Sequence, residues 1–129
     1  MEQLDLYKCE VCGNIVEVVI NGGGELICCG QPMKKLEPKD SEIAMLEKHI
    51  PVFIKHDDNV EIRVGEVLHP MINEHYIMFI EAISDGGSFV QRKYLYPSQE
   101  PKMFLKEISK DTIAREYCNI HGLWEGKND

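Results

Sequence analysis

Cys9-Glu10-Val11-Cys12-Gly13 and Ile27-Cys28-Cys29-Gly30 decide how the start of this 129-residue chain folds. A C-x-x-C turn lets two thiolates reach one ion, and the adjacent pair Cys28-Cys29 completes a four-sulfur site. Gly13 and Gly30 each follow a cysteine pair, where a residue that tolerates positive φ lets backbone amides turn toward sulfur. Between the two knuckles lie Ile15 to Ile20 and then Asn21-Gly22-Gly23-Gly24, a glycine run that predicts a hairpin turn. A module of this length cannot bury a core of its own. Folds below about 40 residues need a metal, a disulfide or a partner, so residues 1–37 read as a metal-nucleated domain.

Outward from that module, Leu36-Glu37-Pro38-Lys39-Asp40 reads as a linker from its proline and charges. Ser41 to Lys48 follows as a short helix or loop that leads to His49. Beyond it the apolar period becomes two. Val52 to Ile54, Val60 to Val64, Tyr76 to Ile83, Ser88 to Tyr96, Met103 to Ile108 and Thr112 to Tyr117 are predicted strands, separated by turn-forming runs such as Ser84-Asp85-Gly86-Gly87. Short strands at this regular spacing predict an antiparallel β-sandwich over residues 38–129, so the chain is all-β.

The fifth cysteine returns near the end in Cys118-Asn119-Ile120-His121-Gly122, far from the other four. His49, His69 and His75 join His121 as imidazoles available to it. Pro70 biases His69 toward an extended or turn conformation, on a loop between strands. His75 opens the next apolar strand, His49 precedes the first strand of the sandwich, and Cys118 with His121 follows the sixth. Loops at one end of a sandwich can converge on a metal while the sheets hold them. Four nitrogens and one sulfur exceed the four ligands that zinc takes, so iron is the better fit, with a further position open to substrate.

Composition limits the partners. A net charge of −8 and no cluster of Lys and Arg argue against nucleic acid. No apolar run approaches the roughly 20 residues of a membrane span, and Met1-Glu2-Gln3-Leu4-Asp5 has no signal-peptide character, which predicts a cytoplasmic protein with no membrane partner. In a reducing compartment, five cysteines are metal ligands sooner than disulfides. The negative field would repel an anionic substrate unless a local cation focuses it, and Lys48 beside His49 is the candidate.

With these residues in view, the chain resembles the desulfoferrodoxin family, the two-iron superoxide reductases. The resemblance rests on Cys9, Cys12, Cys28 and Cys29, on Glu47-Lys48-His49-Ile50-Pro51, His69-Pro70 and His75-Tyr76, and on Cys118 to Gly122. The vicinal Cys28-Cys29 is its most specific mark, since a zinc ribbon or rubredoxin carries a second C-x-x-C. The resemblance implies a desulforedoxin-like domain with a tetrahedral FeS4 centre, joined to an immunoglobulin-like sandwich. It also implies a second, square-pyramidal iron with His49, His69, His75 and His121 equatorial and Cys118 axial. The implied reaction is one-electron reduction of superoxide to hydrogen peroxide, protective against oxidative stress, with a rubredoxin-like electron donor and a homodimeric assembly.

Roles beyond the ligands follow from the same resemblance and from simple chemistry. Lys48 is a point charge beside the open position, and Glu47 a carboxylate able to occupy it after product leaves. The Cys118 thiolate pushes electron density onto the iron, as haem thiolates do. The four-cysteine centre is either an electron relay or a structural staple. His56, between Lys55 and Asp57, matches no ligand position and reads as a surface histidine, and Tyr76, Tyr117 and Trp124 read as packing. The rival function is an electron-transfer iron protein without catalysis, which would have no open coordination position.

Overall fold

The computed structural model describes residues 1–41, 48–65 and 68–128, and the chain divides into two compact units, Met1–Glu37 and Pro38–Asp129. The expected helix or loop before Lys48 and the residue Glu47 lie outside the described residues. Among those residues there is no α-helix, and none long and apolar enough to cross a membrane.

The first unit holds five short strands: β1 (Leu6–Lys8), β2 (Ile15–Glu17), β3 (Ile27–Cys28), β4 (Gln31–Pro32) and β5 (Lys34–Lys35). β1 is central to an antiparallel sheet ordered β2-β1-β5, while β3 and β4 form a separate pair around Cys29-Gly30. The glycine run does not make the expected hairpin. β2 pairs back onto β1, with Tyr7 opposite Val16, and the glycines carry the chain from one sheet to the other. Gly23 and Gly24 do use positive φ, 85° and 80°, but in a connection between sheets, where the flanking strands β2 and β3 do not pair with each other. Only Leu6, Cys9 and Val18 are buried in this unit. Three buried side chains are far too few to offset the entropy of ordering the segment, as the reading of a metal-nucleated module requires.

The second unit has seven strands among its described residues: β6 (Pro51–Lys55), β7 (Val60–Val64), β8 (Ile77–Ser84), β9 (Phe89–Tyr94), β10 (Lys102–Leu105), β11 (Ile113–Cys118) and β12 (Gly122–Lys127). They form two antiparallel sheets, β10-β7-β6 and β12-β11-β8-β9. Alternate residues from both sheets meet in one core, with Ile62, Val64, Met103 and Leu105 from the first against Ile77, Ile80, Ala82, Ala114 and Cys118 from the second. This is the expected sandwich. The strand that periodicity missed is β12, whose Gly122 and Gly126 dilute its apolar pattern. Gly126 is needed there, because a Cβ would fall 2.2 Å from the Pro51 carbonyl oxygen where β12 passes β6.

The outer face of the larger sheet carries a buried ion cluster. Glu81 on β8 is fully buried and opposite both Arg92 on β9 and Arg115 on β11. Arg92 donates from Nε and Nη2 to Glu81 Oε2 at 3.0 and 2.7 Å, and Arg115 donates from Nε and Nη2 to Oε1, the former at 3.1 Å. Three adjacent strands are thus tied through one carboxylate. Removing the charge of a buried pair strands its partners at a cost of about 3 kcal/mol or more. Glu81→Gln is therefore expected to lower the stability of this unit by that amount in chemical denaturation, and a loss under 1 kcal/mol would refute the role.

Candidate metal centres

Local backbone geometry assembles the four-cysteine centre. In the first knuckle the Gly13 N–H donates to the Cys9 carbonyl at 2.9 Å, Gly13 has φ 85°, and the Cys12 N–H points at Cys9 Sγ, 3.5 Å away. In the second, Cys29 and Gly30 both adopt left-handed backbone, at φ 53° and 74°. That conformation is costly for a residue with a Cβ, and it turns two neighbouring sulfurs toward one point. Asn14 Nδ2 lies 3.9 Å from Cys28 Sγ.

All four Sγ atoms lie within 4.8 Å of one another, with Cys12 to Cys28 at 3.7 Å and Cys28 to Cys29 at 4.0 Å. These separations are too long for disulfides, and all five cysteines of the chain are free. They match a tetrahedron of sulfurs around one ion, whose edges are about 3.8 Å for metal–sulfur bonds of about 2.3 Å. The electrostatics of the thiols agree. The Cys12 N–H pulls the Cys9 thiol down to about 6, whereas hydrogen bonding to Cys12, then to Cys9 and Cys28, pushes Cys29 up to about 12. Four sulfurs this close cannot all ionise without a counter-cation, so the donor set fits a metal.

The second constellation gathers residues from four separated segments. His49 precedes β6, His69 and His75 lie between β7 and β8, and Cys118 ends β11. The β11–β8 register shifts between Tyr117 and Cys118, a bulge of the kind that re-aims a side chain beside a site. His121 then lies in the turn before β12. A tight turn, in which Ile72 and His75 exchange both backbone hydrogen bonds at 3.1 Å, sets His75. Asn119 ties this turn to the Cys118 loop: its side chain donates to the Glu74 carbonyl at 3.0 Å and accepts from the Tyr76 N–H at 2.9 Å.

One ligand atom from each of His49, His69, His75, Cys118 and His121 lies within 4.8 Å of every other. The four imidazoles form a closed circuit of edge-on neighbours: His49 to His69 at 4.7 Å between centroids, His69 to His75 at 4.6 Å, His75 to His121 at 5.1 Å and His121 to His49 at 4.7 Å. His49 Nε2 is 3.1 Å from both His69 Nε2 and His121 Nδ1. Cys118 Sγ is 3.8 Å from His121 Nδ1 and accepts the His121 N–H at 3.4 Å.

The chemistry of this donor set fits a metal. His69 Nδ1 lies 2.8 Å from the Pro70 carbonyl, an oxygen that only accepts, so Nδ1 carries the proton and Nε2 turns its lone pair inward. Burial first, then the charges of His69, His121 and His75, and last Lys39, hold His49 down to about 3, so it stays a neutral ligand at physiological pH. Trp124 stacks on the His49 ring at 4.8 Å and 14°, and its indole N–H donates to the His121 carbonyl at 3.1 Å. The expectation of packing thus holds for Trp124, whose packing partner is the site itself. Tyr117 stacks on Phe79.

Lys48 is half-buried beside the buried His49. His56 is outside both centres and pairs with Glu61 Oε1 at 2.9 Å. Sequence reasoning overlooked Asn119 and Lys39. Asn119 sits inside the Cys118–His121 motif and its side-chain chemistry was the available signal. Lys39, placed in a linker, instead bridges to Trp124 on β12.

Comparison with known proteins agrees in both units. The family model described as "Desulfoferrodoxin, N-terminal domain" matches residues 1–36, and that described as "Desulfoferrodoxin" matches residues 41–127. A desulfoferrodoxin homolog of Archaeoglobus fulgidus is 52% identical over 124 residues, covering 96% of this chain and 97% of its relative. Among solved structures, the superoxide reductase from Treponema pallidum matches with a TM-score of 0.74 at 26% identity, covering 98% of this chain and 100% of that one. The superoxide reductase from Giardia intestinalis, described as a 1Fe enzyme, matches with a TM-score of 0.53 at 32% identity and covers 62% of this chain and 95% of its own.

Proposed function

The chain belongs to the desulfoferrodoxin family, and from that premise we propose that it is a superoxide reductase, converting superoxide to hydrogen peroxide by uptake of one electron and two protons. The observation that carries this reading is the convergence of four imidazoles and one thiolate within 4.8 Å. His49, His69, His75, His121 and Cys118 would hold one iron, and Cys9, Cys12, Cys28 and Cys29 another. Iron in the five-donor centre, when bound, would supply the single electron that superoxide accepts.

The protein's own groups prepare that chemistry. The neutral His49 and the fixed tautomer of His69 present lone pairs without first shedding protons. Cys118, fully buried, contributes the strongest electron donor of the set, and the His121 N–H moderates it by sharing its charge. Trp124 covers one face of His49 and keeps water from that side. Lys48 draws the anionic substrate against the chain's net charge of −8, and Glu47 is its companion carboxylate. The four-cysteine centre stabilises its small unit and relays electrons. A rubredoxin-like protein is the donor, the working assembly a homodimer, and the cytoplasm the compartment, where the activity removes superoxide under oxidative stress.

The test is stoichiometry. Reduced protein given superoxide should yield peroxide with no oxygen evolved. Evolution of one oxygen per peroxide would identify a dismutase and overturn the reading. Lys48→Ile should lower the second-order rate about fivefold at low salt with iron content unchanged, the worth of about 1 kcal/mol for one charge near the substrate. An unchanged rate at low ionic strength would remove Lys48 from the mechanism.

A further inference from the structure

Lys39 reaches the five-donor centre from a segment that carries no ligand. Its backbone adds to the edge of β12: the Lys39 N–H donates to the Leu123 carbonyl at 3.0 Å, and the Glu125 N–H donates to the Lys39 carbonyl at 2.8 Å. The side chain then runs over Trp124, with Nζ 5.0 Å from the ring centroid, and donates to the His121 carbonyl at 2.8 Å. That oxygen also takes the indole N–H of Trp124. Two donors on one carbonyl pin the ligand turn, and the cation lies over the same indole system that stacks on His49.

A lysine on a surface is ordinarily a mobile charge, screened by water and salt. Here two contacts of different kinds, a charged hydrogen bond and an aromatic face, hold the ammonium in one place. It stands against two of the four imidazoles, through the His121 carbonyl and through Trp124 on His49. A fixed positive charge there favours whichever state of the centre carries less positive charge, which for a metal is the reduced one.

We propose that Lys39 is a positioning residue of the five-donor centre, which clamps the His121 turn and, by its fixed charge, makes iron held there easier to reduce. This rests on the reading of that centre as an iron site. Lys39 is not one of the five donors. It acts through the His121 carbonyl and Trp124.

Three variants separate charge from clamp. Lys39→Arg keeps both charge and donor, Lys39→Gln keeps a donor without charge, and Lys39→Met removes both. Redox titration of the full-length, iron-loaded proteins, followed by visible and EPR spectra, should show the midpoint of the five-donor centre shifted downward in Lys39→Gln and Lys39→Met. It should stay at the parent value in Lys39→Arg. The midpoint of the four-cysteine centre is the internal reference and should not move. Equal midpoints in all four proteins would overturn the proposal. So would a fall in Lys39→Arg as large as in Lys39→Met, or a loss of iron with no change in midpoint. Superoxide turnover by the parent is a separate check: its failure would defeat the functional reading while leaving the midpoints to judge Lys39.

Discussion

Cys118→Ser is expected to lower the rate of superoxide reduction by about a hundredfold or more while leaving the sandwich folded. Cys118 is fully buried at the bulged end of β11, and serine is close to it in size, so the packing around it changes little. What changes is the donor. A buried hydroxyl does not ionise at neutral pH, and the electron density a thiolate lends to a bound iron disappears with it. Changes merely adjacent to a metal ligand already cost tenfold to a hundredfold. Pulse radiolysis on protein of verified iron content measures this directly, and a variant rate within threefold of the parent would remove the thiolate from the chemistry.

His49→Ala should empty the five-donor centre and spare the other. His49 is fully buried, its Nε2 stands 3.1 Å from two other ligand nitrogens, and its ring packs on Trp124. Alanine removes both the donor and the stacking partner, at a cost in stability of about 1 to 3 kcal/mol. Iron content should fall by half, with the spectrum of the four-cysteine centre intact. Because Trp124 is the single tryptophan of the chain, its fluorescence should also change on this substitution, reporting the exposed indole face. Full iron content in the variant would show that His49 is not a ligand.

The parts of this site that were legible in the sequence are those whose chemistry is local. Cys9, Cys12, Cys28 and Cys29 announce themselves by spacing, and so do the positive-φ glycines Gly13 and Gly30. β7 could be bounded at Val60 and Val64 because its apolar residues alternate cleanly between turns. The gathering of four imidazoles on Cys118 was suggested by residue type and by the loops of a sandwich end, and the resemblance singled out the ligand set, since nothing in the composition says which loops meet. The glycine-rich turn misled for the same reason: Gly22 to Gly24 fit a hairpin, but β2 finds its partner in β1, and local turn chemistry cannot reveal that choice. Lys39 was invisible because its proline-flanked segment looks like a linker, and the edge it completes belongs to β12, a strand whose own pattern two glycines had blurred. Asn119 bridges two ligand turns through backbone groups, a role that leaves no trace in periodicity.

Metal analysis of anaerobically purified protein, with visible and EPR spectra in both redox states, tests most directly whether both ligand clusters hold iron. The expected result is two irons per chain, one for each of the two ligand clusters, with two unlike signals that titrate separately. The His49→Ala variant should lose one of these signals and keep the other. A single kind of iron signal in the parent, or zinc in the cluster of four imidazoles and one thiolate, would contradict the proposed chemistry at its root.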